Sequence, residues 1–151
     1  MRKWLLLGAL VLVLAAVVTS AGSPPVWVVP SSRLDGVTGC DAHGTPTVWI
    51  NARVVVGPAW RLRETLAHEV YHYRHFRAWG CKGMQHRLAV DSLEYREEIG
   101  AWCAGVNEVA GDPDAPARMW LVEDAKETLT LYGFSETEAR LRADVERECG
   151  S

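Results

Sequence analysis

His68, Glu69 and His72 stand in the run His-Glu-Val-Tyr-His, an HExxH spacing inside a stretch with helical periodicity. On an α-helix, residues four apart lie one turn from each other on the same face, so two imidazoles at this spacing can share one metal ion. Glu69 then sits beside the metal, placed to take a proton from the water that the metal activates. Zinc suits these donors. A catalytic zinc usually takes three protein ligands and keeps its fourth position open, so two histidines are an incomplete site.

The elements that must position these residues can be read from punctuation and period. Pro58 suits the first turn of a helix and Gly80 a C-cap, which predicts a helix of about twenty residues between them. At about 100° per residue, Leu62, Leu66, Tyr73 and Phe76 gather on one face with Glu69 among them. His68 and His72 fall at the edge of that stripe, and Arg63, Arg74 and Arg77 fall opposite. An edge position can be walled by core on one side and reached by substrate on the other.

Before this helix, residues 47–56 are rich in β-branched side chains and closed by Gly57-Pro58, which predicts a strand. Residues 22–46 read as an irregular lead-in with one short strand near 26–29. After it, residues 81–90 show no clear period and read as a loop. A second helix capped by Asp91 or Ser92 runs to about Ala110, a third spans residues 116–131, and a Ser135/Glu138 capping box opens a fourth that ends near Cys149. A small β element followed by mostly helix is an α+β arrangement.

The third ligand is sought among the remaining acids. A three-histidine HExxHxxGxxH pattern would need Gly at position 75 and His at 78, but these are His75 and Ala78. The second helix offers Glu94, Glu97 and Glu98. Tyr95, Ile99, Trp102, Val106 and Val109 form its apolar face, with Glu98 at the edge of that face and Glu97 on the opposite side. Glu98 is the best candidate and Glu94 the next. Ala101 and Gly105 flank Glu98 and would let the two helices approach closely.

With HExxH on one helix and Glu98 followed by Ala101 on another, the chain resembles the gluzincin-type metallopeptidases over roughly residues 47–105. The resemblance implies one Zn²⁺ held by His68, His72 and Glu98, with Glu69 as general base and an extended peptide lying along residues 47–56 as the edge strand of the cleft. Trp102 departs from the family, where an acidic residue often stands, so support for a His ligand must come from elsewhere; Glu64 is one substitute. The family's oxyanion-stabilising residue is not carried over by motif, and Tyr71, Tyr95, His75 and His86 all remain open.

Met1-Arg2-Lys3, the apolar run of residues 4–18 and the small residues Thr19-Ser20-Ala21 form the three parts of a secretory signal, leaving residues 22–151 as one domain. The alternative, an uncleaved anchor, needs about 20 apolar residues to span a bilayer. The expected location is therefore extracytoplasmic or secreted, without stable membrane association once the signal is removed. All four cysteines, Cys40, Cys81, Cys103 and Cys149, lie in the exported part, and none form the close pairs of a four-thiolate zinc site, so two disulfides are expected. If antiparallel helices bring His72 to face Glu98, Cys81 and Cys103 lie about 20 Å apart and their pairing is disfavoured. Cys40 with Cys81 and Cys103 with Cys149, or the crossed alternative, remain. Without Arg2 and Lys3, 14 basic residues face 19 acidic ones, a balance that argues against a nucleic-acid partner.

The expected function is that of an exported, monomeric zinc peptidase acting on peptides, proteins or the peptide stems of a cell wall. The alternative is a secreted, disulfide-stapled binding or structural domain that keeps a zincin scaffold without hydrolysis.

Overall fold

The computed structural model describes residues 23–30, 33–116, 125–127, 129–130, 133–134 and 138–150. The signal segment expected at residues 1–21 lies outside them, as do Ser135 and most of the expected third helix; within the latter, residues 125–127 and 129–130 are helical. Among the described residues the chain runs β1 (Val26–Val29), β2 (Gly36–Cys40), β3 (Pro46–Asn51), α1 (Ala52–Val55), α2 (Ala59–Leu88), α3 (Asp91–Glu108) and α4 (Glu138–Cys149). The α+β expectation is met: a three-stranded sheet precedes a mostly helical region.

The sheet order is β1-β3-β2, with β1 parallel and β2 antiparallel to β3. The β2–β3 hairpin closes on Asp41, whose carboxylate accepts from the main-chain N–H groups of His43 and Thr45 at 2.8 and 2.9 Å. Gly44 supplies the positive φ of 75° that the turn needs. Alternation sends Val48 and Ile50 of β3 to one face, where they are buried with Val54 and Tyr73 against Leu62 and Leu66 of α2. Burying each aliphatic side chain contributes about 1.5–3 kcal/mol, so this contact fixes the sheet on the histidine-bearing helix.

Residues 47–56 are not one edge strand. The strand stops at Asn51, whose side chain accepts from the main-chain N–H of Arg53 and caps α1. What precedes the cap, β3, is the central strand; the edges are β1 and β2. The expected loop at residues 81–90 is also helical as far as Leu88. Gly80 breaks α2 with φ 71° and ψ 164°, as its C-cap character predicts, but a new helical segment starts at once. That segment buries only Met84, so it carries no apolar period to read. A disulfide between Cys40 and Cys81 ties it to the sheet.

α3 lies between two partners. One face packs Tyr95, Ile99, Trp102 and Cys103 with Leu141, Val145 and Cys149 of α4, and the Cys103–Cys149 disulfide closes this core. The other face lies on α2. A carbon added at Gly105 would stand 3.0 Å from the main-chain oxygen of Glu64, so the two backbones approach as closely as the small residues allow.

Candidate metal centre

α2 delivers His68 and His72 from consecutive turns, and α3 delivers Glu98 across the close helix contact. All three are buried, at 9, 7 and 7 % exposure. Nε2 of His68 and Nε2 of His72 are 3.2 Å apart. Oε2 of Glu98 is 3.5 Å from Nε2 of His68, and its Oε1 is 3.5 Å from Nε2 of His72. Donors bound tetrahedrally to zinc at about 2.0–2.1 Å stand about 3.3–3.4 Å from one another. The separation of the two ring nitrogens is close to that edge length, each ring has one Glu98 oxygen at a similar distance, and the cluster can hold a metal ion. Glu98 thus takes the place expected of it, while Glu94 is not in the cluster.

The chemistry of the donors fits a cation as well as their spacing does. Glu97, directly before Glu98, accepts a hydrogen bond from Nδ1 of His72 at 3.2 Å. An ionised carboxylate has no proton to give, so Nδ1 of His72 is the donor, and Nε2 is the atom that offers a lone pair to an ion once its own proton is displaced. Nε2 faces a second imidazole nitrogen and a carboxylate. Burial works against charge on His72, but hydrogen bonds to Glu97 and Glu98 and the charges of Glu98 and Glu69 outweigh it and push the ring up to about 10. Burial likewise works against the Glu98 anion, and bonds to His68 and His72 hold its carboxyl well below the ordinary range. A site that concentrates negative charge on a pair of buried imidazoles is complementary to a divalent cation.

Glu97 corrects the helical-wheel expectation. It is 6 % exposed and faces α2, not solvent. The support for a ligand histidine therefore comes from Glu97, which bonds Nδ1 of His72. Glu64 is buried beside Gly105 and accepts from the hydroxyl of Thr65 at 3.4 Å. Trp102 meets the ring of His68 edge-on at 5.0 Å and supports it by packing. Its buried Nε1 has no acceptor among the described residues.

Glu69 is 4 % exposed and reaches β2, and it lies near enough to the cluster for its charge to help raise His72. The hydroxyl of Thr38 lies 2.7 Å from its Oε2 and 2.9 Å from its main-chain oxygen. A carbon added at Gly36 would fall 2.6 Å from its Cγ and 2.7 Å from its Oε1. Strand β2 therefore both holds this carboxylate and makes room for it. Gly36 and Thr38 were not singled out by sequence reading; only the two-residue alternation of a strand aimed at Glu69 could have found them.

A cavity of about 460 Å³ opens on the His68 side of the cluster, with Gly36, Thr65 and Trp102 in its wall. Arg53 and Arg61 also line it, paired through one carboxylate of Asp35. The residues left open for the oxyanion role are placed as follows. The Tyr95 hydroxyl donates to Asp144 at 2.9 Å in the α3–α4 core, Tyr71 packs against His72 and His75, His75 is bonded to Glu97, and His86 is exposed beyond the break in α2. Comparison of the chain with protein-family models, with curated proteins and with solved structures returns no match.

Proposed function

We propose that this chain is an exported zinc-dependent peptidase that works in the manner of the gluzincins. The observation that carries the reading is Glu69. A metal kept only for structure needs no carboxylate beside it, yet here one is buried, hydrogen-bonded by Thr38 and given its space by Gly36. Two imidazoles and one carboxylate are the donor set of a catalytic zinc with one position left for water, and the cavity beside His68 gives that position access. Bound there, zinc supplies Lewis acidity, lowering the pKa of a water to about 7 and polarising a peptide carbonyl.

The chain's own residues do the rest. Oε2 of Glu69 accepts from Thr38, which leaves Oε1 to take the proton of the attacking water and pass it to the leaving amine. His72 is kept in one tautomer by Glu97. The strand that borders this site is β2, so an extended peptide lies along β2 and adds main-chain hydrogen bonds at its outer edge. Among the described residues no other strand pairs there. Peptides, proteins and the peptide stems of a cell wall share the bond such a site cleaves. Export rests on the apolar run at residues 4–18 and on the two disulfides. No helix among the described residues is long and apolar enough to cross a membrane.

Glu69→Gln tests the reading. Zinc content, read by mass spectrometry of the purified protein, stays at the wild-type level, and cleavage of a mixed peptide library falls by about 10²–10⁴-fold. A metal-loaded mutant cleaving at the wild-type rate would falsify the role of Glu69. A wild-type protein whose library shows no chelator-sensitive cleavage returns the choice to a binding or structural domain.

A further inference from the structure

Glu97 has a second donor besides the metal-ligating ring. Its Oε1 accepts from Nδ1 of His72 at 3.2 Å and from Nδ1 of His75 at 2.5 Å, so one oxygen ties together two rings of α2. The shorter bond is the one to His75. That ring is itself fixed on both faces of its surroundings: it stacks on Trp79 at 4.9 Å and 27°, and Tyr71 meets it edge-on at 4.5 Å. Arg87 then covers Trp79, 3.7 Å from the ring centroid. Along an unbroken helix eight residues span about 12 Å, so the break at Gly80 is what brings Arg87 back over Trp79. On α3, the absence of a side chain at Gly100 leaves the space that the Tyr71 hydroxyl occupies.

We propose that His75 is a positioning residue of the metal centre. It fixes the carboxylate of Glu97, and Glu97 in turn holds His72 with Nδ1 protonated and Nε2 turned toward the ion. The side chain does not reach substrate, because the cavity opens on the His68 side and neither His75 nor Glu97 is in its wall. The sequence alone offers no hint of this role: His75 stands where a three-histidine zinc motif requires Gly, three residues before that motif's last His. The inference rests on the metal centre and not on hydrolysis.

The test compares full-length wild type with His75→Phe, His75→Ala, His75→Asn, Glu97→Gln and the double variant His75→Phe/Glu97→Gln, each checked for native circular dichroism. Metal-free protein is titrated with zinc against a chromophoric chelator, and with cobalt followed by its visible bands. His75→Phe keeps a ring for Trp79 but loses the donor, and His75→Ala loses both. Each weakens zinc binding by about tenfold, the low end for outer contacts of a metal ligand, and shifts the cobalt bands. His75→Asn restores an N–H close to the position of Nδ1 and binds within about threefold of wild type. In the Glu97→Gln background, removing the His75 donor costs less than about twofold more, because the two act as one unit.

Wild-type affinity and wild-type cobalt bands in both donorless variants overturn the proposal, as does an equal loss in both backgrounds. A wild-type protein that takes up neither zinc nor cobalt overturns the metal centre and this proposal with it. Metal binding that responds to His75 while no peptide is cleaved upholds the proposal and sinks only the peptidase reading.

Discussion

Replacing Gly36 with alanine separates placement of the Glu69 carboxylate, the proposed general base, from everything else in the site. The new methyl carbon would stand 2.6 Å from Cγ of Glu69, against the 3.4 Å at which ordinary contact begins, so the side chain must retreat by about 0.8 Å. The backbone needs no adjustment, since Gly36 is not among the glycines with positive φ. In a strand, alanine is favoured over glycine by roughly 0.5–1 kcal/mol. Against this stand an off-rotamer Glu69, costing about 0.5–1.5 kcal/mol, and a weakened bond from Thr38 worth about 1 kcal/mol. The balance is a net loss of about 1 kcal/mol, so the melting temperature falls by only a few degrees. The three heavy atoms nearest the new methyl group all belong to Glu69 and none to the cluster of His68, His72 and Glu98, so zinc content is expected to stay unchanged. Turnover is another matter, because a misplacement of about 1 Å at a reacting group costs on the order of 10²-fold. The assay pairs kcat on the best library peptide with zinc content and calorimetric melting of the same samples. Wild-type kcat refutes the claim that β2 sets the position of Glu69. A loss of zinc, or a melting point lowered by more than about 10 °C, shows instead that the contact belongs to the fold.

Metal uptake is pH-dependent with a definite sign. In metal-free protein the raised pKa of His72, about 10, means that an entering ion displaces a proton throughout the neutral range. Apparent zinc affinity therefore falls about tenfold per unit as pH drops from 9 to 7, and calorimetry in two buffers of different ionisation enthalpy finds at least about one proton released per zinc; release of none refutes the assignment. The same proton stabilises the metal-free fold, fully below the unfolded-state pKa of about 6.5 and not at all once pH has risen through 10. The second disulfide carries a prediction that leaves the metal aside. Cys103–Cys149 closes a loop of 46 residues, for which chain entropy gives about 4 kcal/mol. A Cys103→Ala/Cys149→Ala variant loses about 2–4 kcal/mol of urea-unfolding stability, and a loss under about 1 kcal/mol shows that the α3–α4 core alone holds α4.

The sequence and the structure agree where chemistry is periodic and part where it is buried. The HExxH pair is legible because both histidines sit at the edge of an apolar stripe that packs on β3, and Glu98 because it borders the stripe of α3 that packs on α4. Glu97 is misread for a physical reason. A wheel weighted by hydrophobicity finds one buried face per helix, but α3 has two, and the face toward α2 is built from Glu97, Glu98, Ala101 and Gly105. Acids and small residues look like a solvated surface until their partners are known. Those partners are the rings of His68, His72 and His75, which supply the hydrogen bonds that let two adjacent carboxylates stay ionised at 6 and 7 % exposure. The strand error has the same origin. Residues 47–56 announce extended chain by composition, yet Asn51 is both the last residue of β3 and the cap of α1, and no local pattern ranks those roles. Nor does alternation reveal which strand lies at the edge, since register depends on β1 pairing in parallel from twenty residues away. Polar burial between two helices is therefore the part of this site that sequence hides, and it is the part that decides the charge, tautomer and orientation of the rings that could hold a metal ion.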